Sequence, residues 1–194
     1  MSSTPASFSA VILCGGDSSR MGRDKATIQI RGKPLVRMLA ERMAEVAGPV
    51  WLSVGRAPRF AELGFEEMID DPLEAGPLGG IAPSLERSPR ELLAVVGVDM
   101  PFANPRLFRL MADLYVDEDI VLPITPEGAQ PLHALWNKAS LKRIRHALEV
   151  KSYAVRDLLP NLTVREVAED EWRTVDDGRF ALNLNRPEDL ELLR

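Results

Sequence analysis

Two adjacent glycines, Gly15 and Gly16, end a short apolar run, and three cations, Arg20, Arg23 and Lys25, follow within six positions of one another. Gly has no Cβ, so its N–H can face a ligand oxygen directly. Successive N–H groups in such a turn form an anion-binding concavity. In a chain that is acidic overall, this points to a polyphosphate. The spacing is neither the Walker loop G-x-x-x-x-G-K-[ST] nor the dinucleotide fingerprint G-x-G-x-x-G, and the same residues also suit a solvated turn with ordinary surface arginines. Two more polar features close apolar runs: the pair Asp70-Asp71 before Pro72, and Asp99 before Met100-Pro101. A lone carboxylate at a strand's carboxyl end suits Mg²⁺, which takes one or two carboxylates plus phosphate and water oxygens. It also suits capping of the turn that follows. Asp71 before Pro72 is equally a common turn signal.

The elements that must position these groups alternate along the chain. Phe8 to Leu13 is short, apolar and β-branched, as a buried parallel strand should be. Gly32-Lys33-Pro34 opens a helix with Leu35, Leu39, Met43 and Val46 on one stripe, and Gly48-Pro49 stops it. Val50 to Val54 reads as a strand, and Met68-Ile69 leads a short one into Asp70. Gly76-Pro77-Leu78-Gly79-Gly80 starts a helix running toward Ser88-Pro89. Leu92 to Val98 is apolar or Gly throughout, the clearest strand of all. Asn104-Pro105 is a cap and first-turn pair for a helix bearing Leu107, Phe108, Met111, Leu114 and Tyr115 on one face. Ile120 to Leu122 and Leu132 to Trp136 are strand candidates, and Ser140 to Glu149 repeats the helical period. Arg165 to Arg173 reads as a solvated face or loop, Phe180 to Leu184 as a final strand, and Pro187-Glu188-Asp189 as the start of a terminal helix.

This alternation implies an α/β protein with a mostly parallel, Rossmann-like sheet covered by helices on both faces. Such sheets bind ligands at the carboxyl ends of their strands, where strand order reverses. The Gly15 loop, the Asp70-Asp71 pair and Asp99 all fall at such ends. With 194 residues the default is a single domain spanning 1–194. The net charge of −5 argues against general affinity for nucleic acid or anionic membrane. One cysteine excludes an internal disulfide, and with two histidines there is no Cys/His zinc cluster. Neither a long apolar span nor a signal-peptide start is present, so the expected compartment is the cytoplasm.

The stretch Val11-Ile-Leu-Cys-Gly-Gly-Asp-Ser-Ser-Arg-Met-Gly-Arg-Asp-Lys25 resembles the L-x-G-G-x-S-x-R-M-G-x-D-K signature of the MobA-like nucleotidyltransferases. The likeness is strongest to the branch that guanylylates the molybdenum cofactor. Gly32-Lys33-Pro34-Leu35, Asp71 with Gly76-Pro77-Leu78-Gly79-Gly80, Asp99-Met100-Pro101-Phe102, and Asn183-Leu184-Asn185-Arg186-Pro187-Glu188-Asp189-Leu190 resemble further family segments in the family's order. Cys14 stands where Ala is usual, and Arg186 where Thr is usual.

The resemblance implies a three-layer nucleotide-diphospho-sugar transferase-like fold and transfer of GMP from GTP to the terminal phosphate of molybdopterin, with Mg²⁺. Lys25, Arg20 and Asp99 are then the catalytic set, with Asp99 on the metal. Leu13, Cys14, Gly15, Gly16, Lys25, Asp71 and Asp99 bind the nucleotide. Asn183 and Asn185 bind the pterin substrate, or else cap the last helix. Molybdoenzymes or their chaperones are the expected receivers. Alternatives are a cytidylyltransferase, another nucleotidyltransferase with a different phosphorylated acceptor, or a nucleotide-binding module with decayed catalysis. His133 could line the pterin side or be a core histidine satisfied by a backbone group; Trp136 is read as core and His146 as exposed.

Overall fold

Six consecutive buried residues, Phe8–Leu13, form strand β1 near the middle of the sheet. The computed structural model describes residues 7–15, 24–72 and 74–193. Gly16, Arg20 and Arg23, singled out above, lie outside the described residues. After a 3-10 turn at Lys25–Thr27 come a hairpin of β2 (Gln29–Ile30) and β3 (Lys33–Pro34), then helix α1 (Leu35–Ala44) and β4 (Val50–Ser53). Next are β5 (Glu66–Met68), α2 (Gly76–Arg87), β6 (Leu92–Gly97), α3 (Pro105–Leu114) and β7 (Ile120–Thr125). The chain continues through β8 (Gly128–Ala129), β9 (His133–Asn137), α4 (Leu141–Glu149), α5 (Val155–Leu158), β10 (Val164–Val167) and α6 (Glu169–Trp172). A 3-10 segment, Pro187–Leu193, ends the described chain.

The main sheet has the order β10-β7-β9-β6-β1-β4-β5, with β8 paired to β7. β5, β4, β1 and β6 are mutually parallel, and β10 is parallel to β7. β9 runs against both its neighbours, β6 and β7. From β1 the chain moves outward through β4 and β5, then crosses back to β6 on the other flank of β1. The order therefore reverses between β1 and β6, and the crevice above their carboxyl ends is the favoured ligand position.

Two-residue alternation along β1 feeds two cores. Phe8, Ala10 and Ile12 join Leu35, Leu39 and Met43 of α1 and Leu107, Phe108 and Met111 of α3. Val11 and Leu13 join Leu78, Ile81 and Leu85 of α2 and Ile144 and Leu148 of α4. Each fully buried Leu or Ile contributes roughly 1.5–3 kcal/mol, so both helical layers are bound to the sheet. Close approach of α2 depends on glycine: a Cβ at Gly80 would collide with the Ser53 hydroxyl and lie 3.0 Å from Leu13.

Two expectations fail. Phe180 to Leu184 is not a strand; Arg179–Ala181 is a 3-10 turn followed by extended chain. Phe180 is apolar because it is buried beside Trp172 and His133, with ring centroids 5.3 and 5.0 Å away, not because it pairs in a sheet. The mixed-charge run beginning at Arg165 instead contains edge strand β10 and α6, whose Trp172 is buried. Among the described residues no helix is long and apolar enough to cross a membrane.

Candidate active site

The end of β1 delivers Leu13-Cys14-Gly15 to the crevice, and its neighbours hold it there. Cys14 N–H donates to the Ser53 carbonyl at 2.7 Å, and Val98 N–H to the Leu13 carbonyl at 3.1 Å. The Cys14 thiol is inward and donates to the Ile12 carbonyl at 3.4 Å. Burial pushes its pKa far up, so it is an inert core thiol and no nucleophile.

Lys25 and Asp99 meet across this crevice. The Lys25 ammonium lies 3.6 Å from the Asp99 carboxylate and donates to the Asn185 side-chain carbonyl at 3.2 Å. Three distant parts of the chain thus converge. Lys25 comes from the turn that Asp24 caps, where the Asp24 carboxylate accepts from Ala26 N–H at 3.0 Å. Asp99 follows β6, and its carbonyl accepts from Leu184 N–H at 2.7 Å. That bond docks the 183–185 segment onto the metal candidate. Arg42 of α1 fixes the loop beyond Asp99 by donating to the Pro101 and Ala103 carbonyls at 3.0 and 3.2 Å.

The neighbouring aspartates separate. The Asp70 carboxylate accepts from the Ser53 hydroxyl at 2.6 Å and Gly55 N–H at 3.3 Å. Its other oxygen would lie 2.6 Å from a Cβ on Gly15, so only glycine fits under it. Asp71, the residue expected to touch the nucleotide, is 71% exposed and pairs with Arg145 of α4 at 3.4 Å. The carboxylate that meets the first loop is therefore that of Asp70. Alternation along extended chain was the available signal: Met68 is buried and Ile69 exposed, which puts Asp70 on the inner side and Asp71 on the outer.

Arg59 also meets the first loop. It donates to the Asp24 carboxylate at 2.6 Å and the Cys14 carbonyl at 2.7 Å. Nothing local to Arg59 in the sequence announces partners 35 and 45 residues away.

Asn183 and Asn185 reach the crevice differently. Asn183 turns its amide to the Ala181 carbonyl at 3.1 Å, whereas Asn185 holds Lys25. The cap on the last segment is supplied by Asp189, whose carboxylate accepts from the Asn185 and Arg186 N–H groups at 2.6 and 2.7 Å. These backbone bonds hold its pKa below the ordinary value. Asn183, Asn185, Arg186, Asp189 and Glu127 line a cleft of about 470 Å³ that starts at the Lys25 partner, within the size range of small-molecule sites.

His133 does not reach the site. It is fully buried, stacked on Phe108 at 4.3 Å, and its Nε2 accepts from Asn104 N–H at 3.1 Å. Burial lowers its pKa to about 3, so it is neutral. Trp136 is core, with its indole N–H on the Pro131 carbonyl at 3.1 Å, and the His146 side chain is 74% exposed.

Helices on both faces of the sheet thus frame a crevice that gathers a lysine, a carboxylate and a glycine-bounded strand end. Residues 10–166 match the MobA-like NTP transferase domain. The chain is 33% identical to a probable molybdenum cofactor guanylyltransferase of Pelotomaculum thermopropionicum, over 93% of this chain and 88% of that protein. It is 29% identical to the molybdenum cofactor guanylyltransferase of Syntrophotalea carbinolica, over 96% and 90%. The chain belongs to the MobA-like NTP transferase family. Its fold matches molybdopterin-guanine dinucleotide biosynthesis protein A of Archaeoglobus fulgidus with a TM-score of 0.82 at 21% identity, covering 96% of both chains. It also matches 2-C-methyl-D-erythritol 4-phosphate cytidylyltransferase of Thermus thermophilus with a TM-score of 0.64 at 18% identity, covering 94% and 95%. The fold is thus shared by proteins named for different nucleotides.

Proposed function

We propose that this protein transfers GMP from GTP to the terminal phosphate of molybdopterin and releases pyrophosphate. The observation that carries the reading is the meeting of Lys25, Asp99 and Asn185 at the strand-order reversal. A phosphate oxygen of the acceptor attacks the α-phosphorus of GTP. The bond from that phosphorus to the bridging oxygen breaks, and pyrophosphate leaves with the electron pair. Nucleophile and leaving group are both anionic, so the protein's work is neutralising charge and aligning the groups.

The roles of the described residues follow from their positions, and that of Arg20 from the family resemblance. The Gly15 N–H faces the triphosphate at the end of β1. Lys25, a compact ammonium, follows charge from the α-phosphate toward the leaving group. Arg20 is assigned to the pyrophosphate, where a bidentate guanidinium is suited. Asp70 offers a carboxylate acceptor beside Gly15. That suits guanine, whose N1–H and 2-amino groups are two adjacent donors, better than cytosine, which sets a single amino donor beside the N3 acceptor. The cleft past Asn185 takes the pterin, with Asn183 and Arg186 in its wall.

The donor set fits Mg²⁺. Mg²⁺ uses only one or two carboxylates and completes its shell with phosphate and water. Asp99, partly exposed beside Lys25, is the residue that would hold it; when bound, the ion screens the phosphate charge. Molybdoenzymes or their chaperones would then take the product.

The test is product identity. The protein is incubated with molybdopterin, Mg²⁺ and GTP, CTP or ATP in separate reactions, and pyrophosphate and the pterin's mass are followed. Pyrophosphate release with GTP and a guanylylated pterin is expected. A cytidylylated pterin would replace the base assignment, and GTP binding without pyrophosphate release would leave a decayed module.

A further inference from the structure

Arg59 lies in the segment between β4 and β5 and has no part in the assignments above, yet its guanidinium joins two pieces of the site. One nitrogen donates to the Asp24 carboxylate at 2.6 Å and another to the Cys14 carbonyl at 2.7 Å. Its own backbone is pinned: Glu67 of β5 accepts from the N–H groups of Arg59 and Phe60 at 2.6 and 3.1 Å. The guanidinium also lies 4.8 Å from the Phe60 ring centroid. The group is fixed from both ends although its side chain is 34% exposed.

We propose that Arg59 is a positioning residue for the triphosphate, acting through the Cys14–Gly15 peptide and Lys25; this rests on the reading of the β1 end as the phosphate site. The Cys14 carbonyl and the Gly15 N–H belong to one planar trans peptide, so they point in opposite directions. Holding the carbonyl on Arg59 fixes the N–H on the far side. Glycine at position 15 would otherwise let that peptide rotate at little cost. The second nitrogen holds Asp24, whose other oxygen caps the turn that carries Lys25. One rigid fork therefore sets the spacing between an N–H donor and a cation meant for one ligand. A lysine cannot reproduce this, because its ammonium is a point charge without the planar two-pronged geometry.

The test combines kinetics with amide exchange. Arg59→Ala is expected to lower kcat/KM for GTP-Mg²⁺ by about tenfold or more, the scale of one lost charge-assisted hydrogen bond. Arg59→Lys should recover only part of it. Asp24→Asn, which keeps the cap but loses the charge, should shift kcat/KM in the same direction. In a Lys25→Ala background the Arg59→Ala loss should shrink, because part of its route is already gone. In the protein without nucleotide, Arg59→Ala should speed exchange of the Thr27 and Ile28 amides, which bond within the Lys25 turn. The proposal is overturned if kcat/KM stays within about threefold, if the loss is undiminished without Lys25, or if those amides exchange as in wild type. Wild-type protein inert toward every nucleotide would defeat the proposed function instead, and the exchange arm would still decide whether Arg59 orders the turn.

Discussion

Replacing Lys25 by alanine separates what the ion pair does for folding from what it does for chemistry. At 3.6 Å from Asp99, the ammonium attracts the carboxylate by about 1 kcal/mol at the dielectric of water. Partly exposed pairs of this kind give roughly 0.2–1 kcal/mol in measured cycles. The melting temperature should therefore fall only slightly, by a few degrees at most. In the transition state the same ammonium faces developing charge on the transferring phosphate. Removing one such preorganised donor costs about 10²-fold or more in turnover, near 2.7 kcal/mol. Lys25→Ala should thus lose several times more transition-state stabilisation than folding stability. The assay is pyrophosphate release at saturating GTP, Mg²⁺ and molybdopterin, with thermal melts on the same samples. A turnover change below about threefold, or a loss that tracks unfolding, would show that Lys25 does not stabilise the transition state.

Other outcomes follow from the geometry. Asp70→Asn keeps the bonds from Ser53 and Gly55 but removes a charged acceptor, and should raise KM for GTP by about tenfold or more. Asp71→Asn, out at Arg145, should change it far less; equal effects would contradict the assignment. Asp99→Asn should raise the Mg²⁺ concentration at half-maximal rate, and an unchanged Mg²⁺ curve would remove Asp99 from the metal. His133, held neutral by burial at a pKa of about 3, binds a proton only after unfolding between that value and its ordinary pKa near 6.5. Its stabilising effect is full above pH 6.5 and is lost as pH falls. It should cost about 2 kcal/mol by pH 5, a slope that denaturant melts should find missing in His133→Phe.

Much of the framework was legible because burial leaves plain marks. β6 is apolar or glycine throughout, β1 is broken only by the buried Ser9, and Asn104 caps α3 through Arg106 N–H at 2.9 Å. The first loop, Asp99 and the Asn183–Asn185 segment were legible through their resemblance to a family. β10 was not: Val164-Arg-Glu-Val167 carries two charges and pairs on one side only, at the sheet edge, so its pattern is that of a loop. Phe180 to Leu184 misled for the opposite reason, since Phe180 and Leu184 are buried in the core without pairing in a sheet. The choice between Asp70 and Asp71 is made by tertiary contacts. Asp70 N–H donates to the Gly55 carbonyl at 3.0 Å, and Asp71 N–H to the Gly79 carbonyl at 2.8 Å, turning adjacent side chains apart. Arg59 depends wholly on long-range contacts and could be found only in three dimensions.

The most direct measurement is a crystal structure with GTP and Mn²⁺ in place of Mg²⁺, using the metal's anomalous signal. The triphosphate is expected across the end of β1, with a phosphate oxygen within hydrogen-bonding reach of the Lys25 ammonium and the metal peak on the Asp99 carboxylate. A nucleotide seated away from the β1–β6 crevice, or one that leaves Lys25 and Asp99 untouched, would contradict that placement.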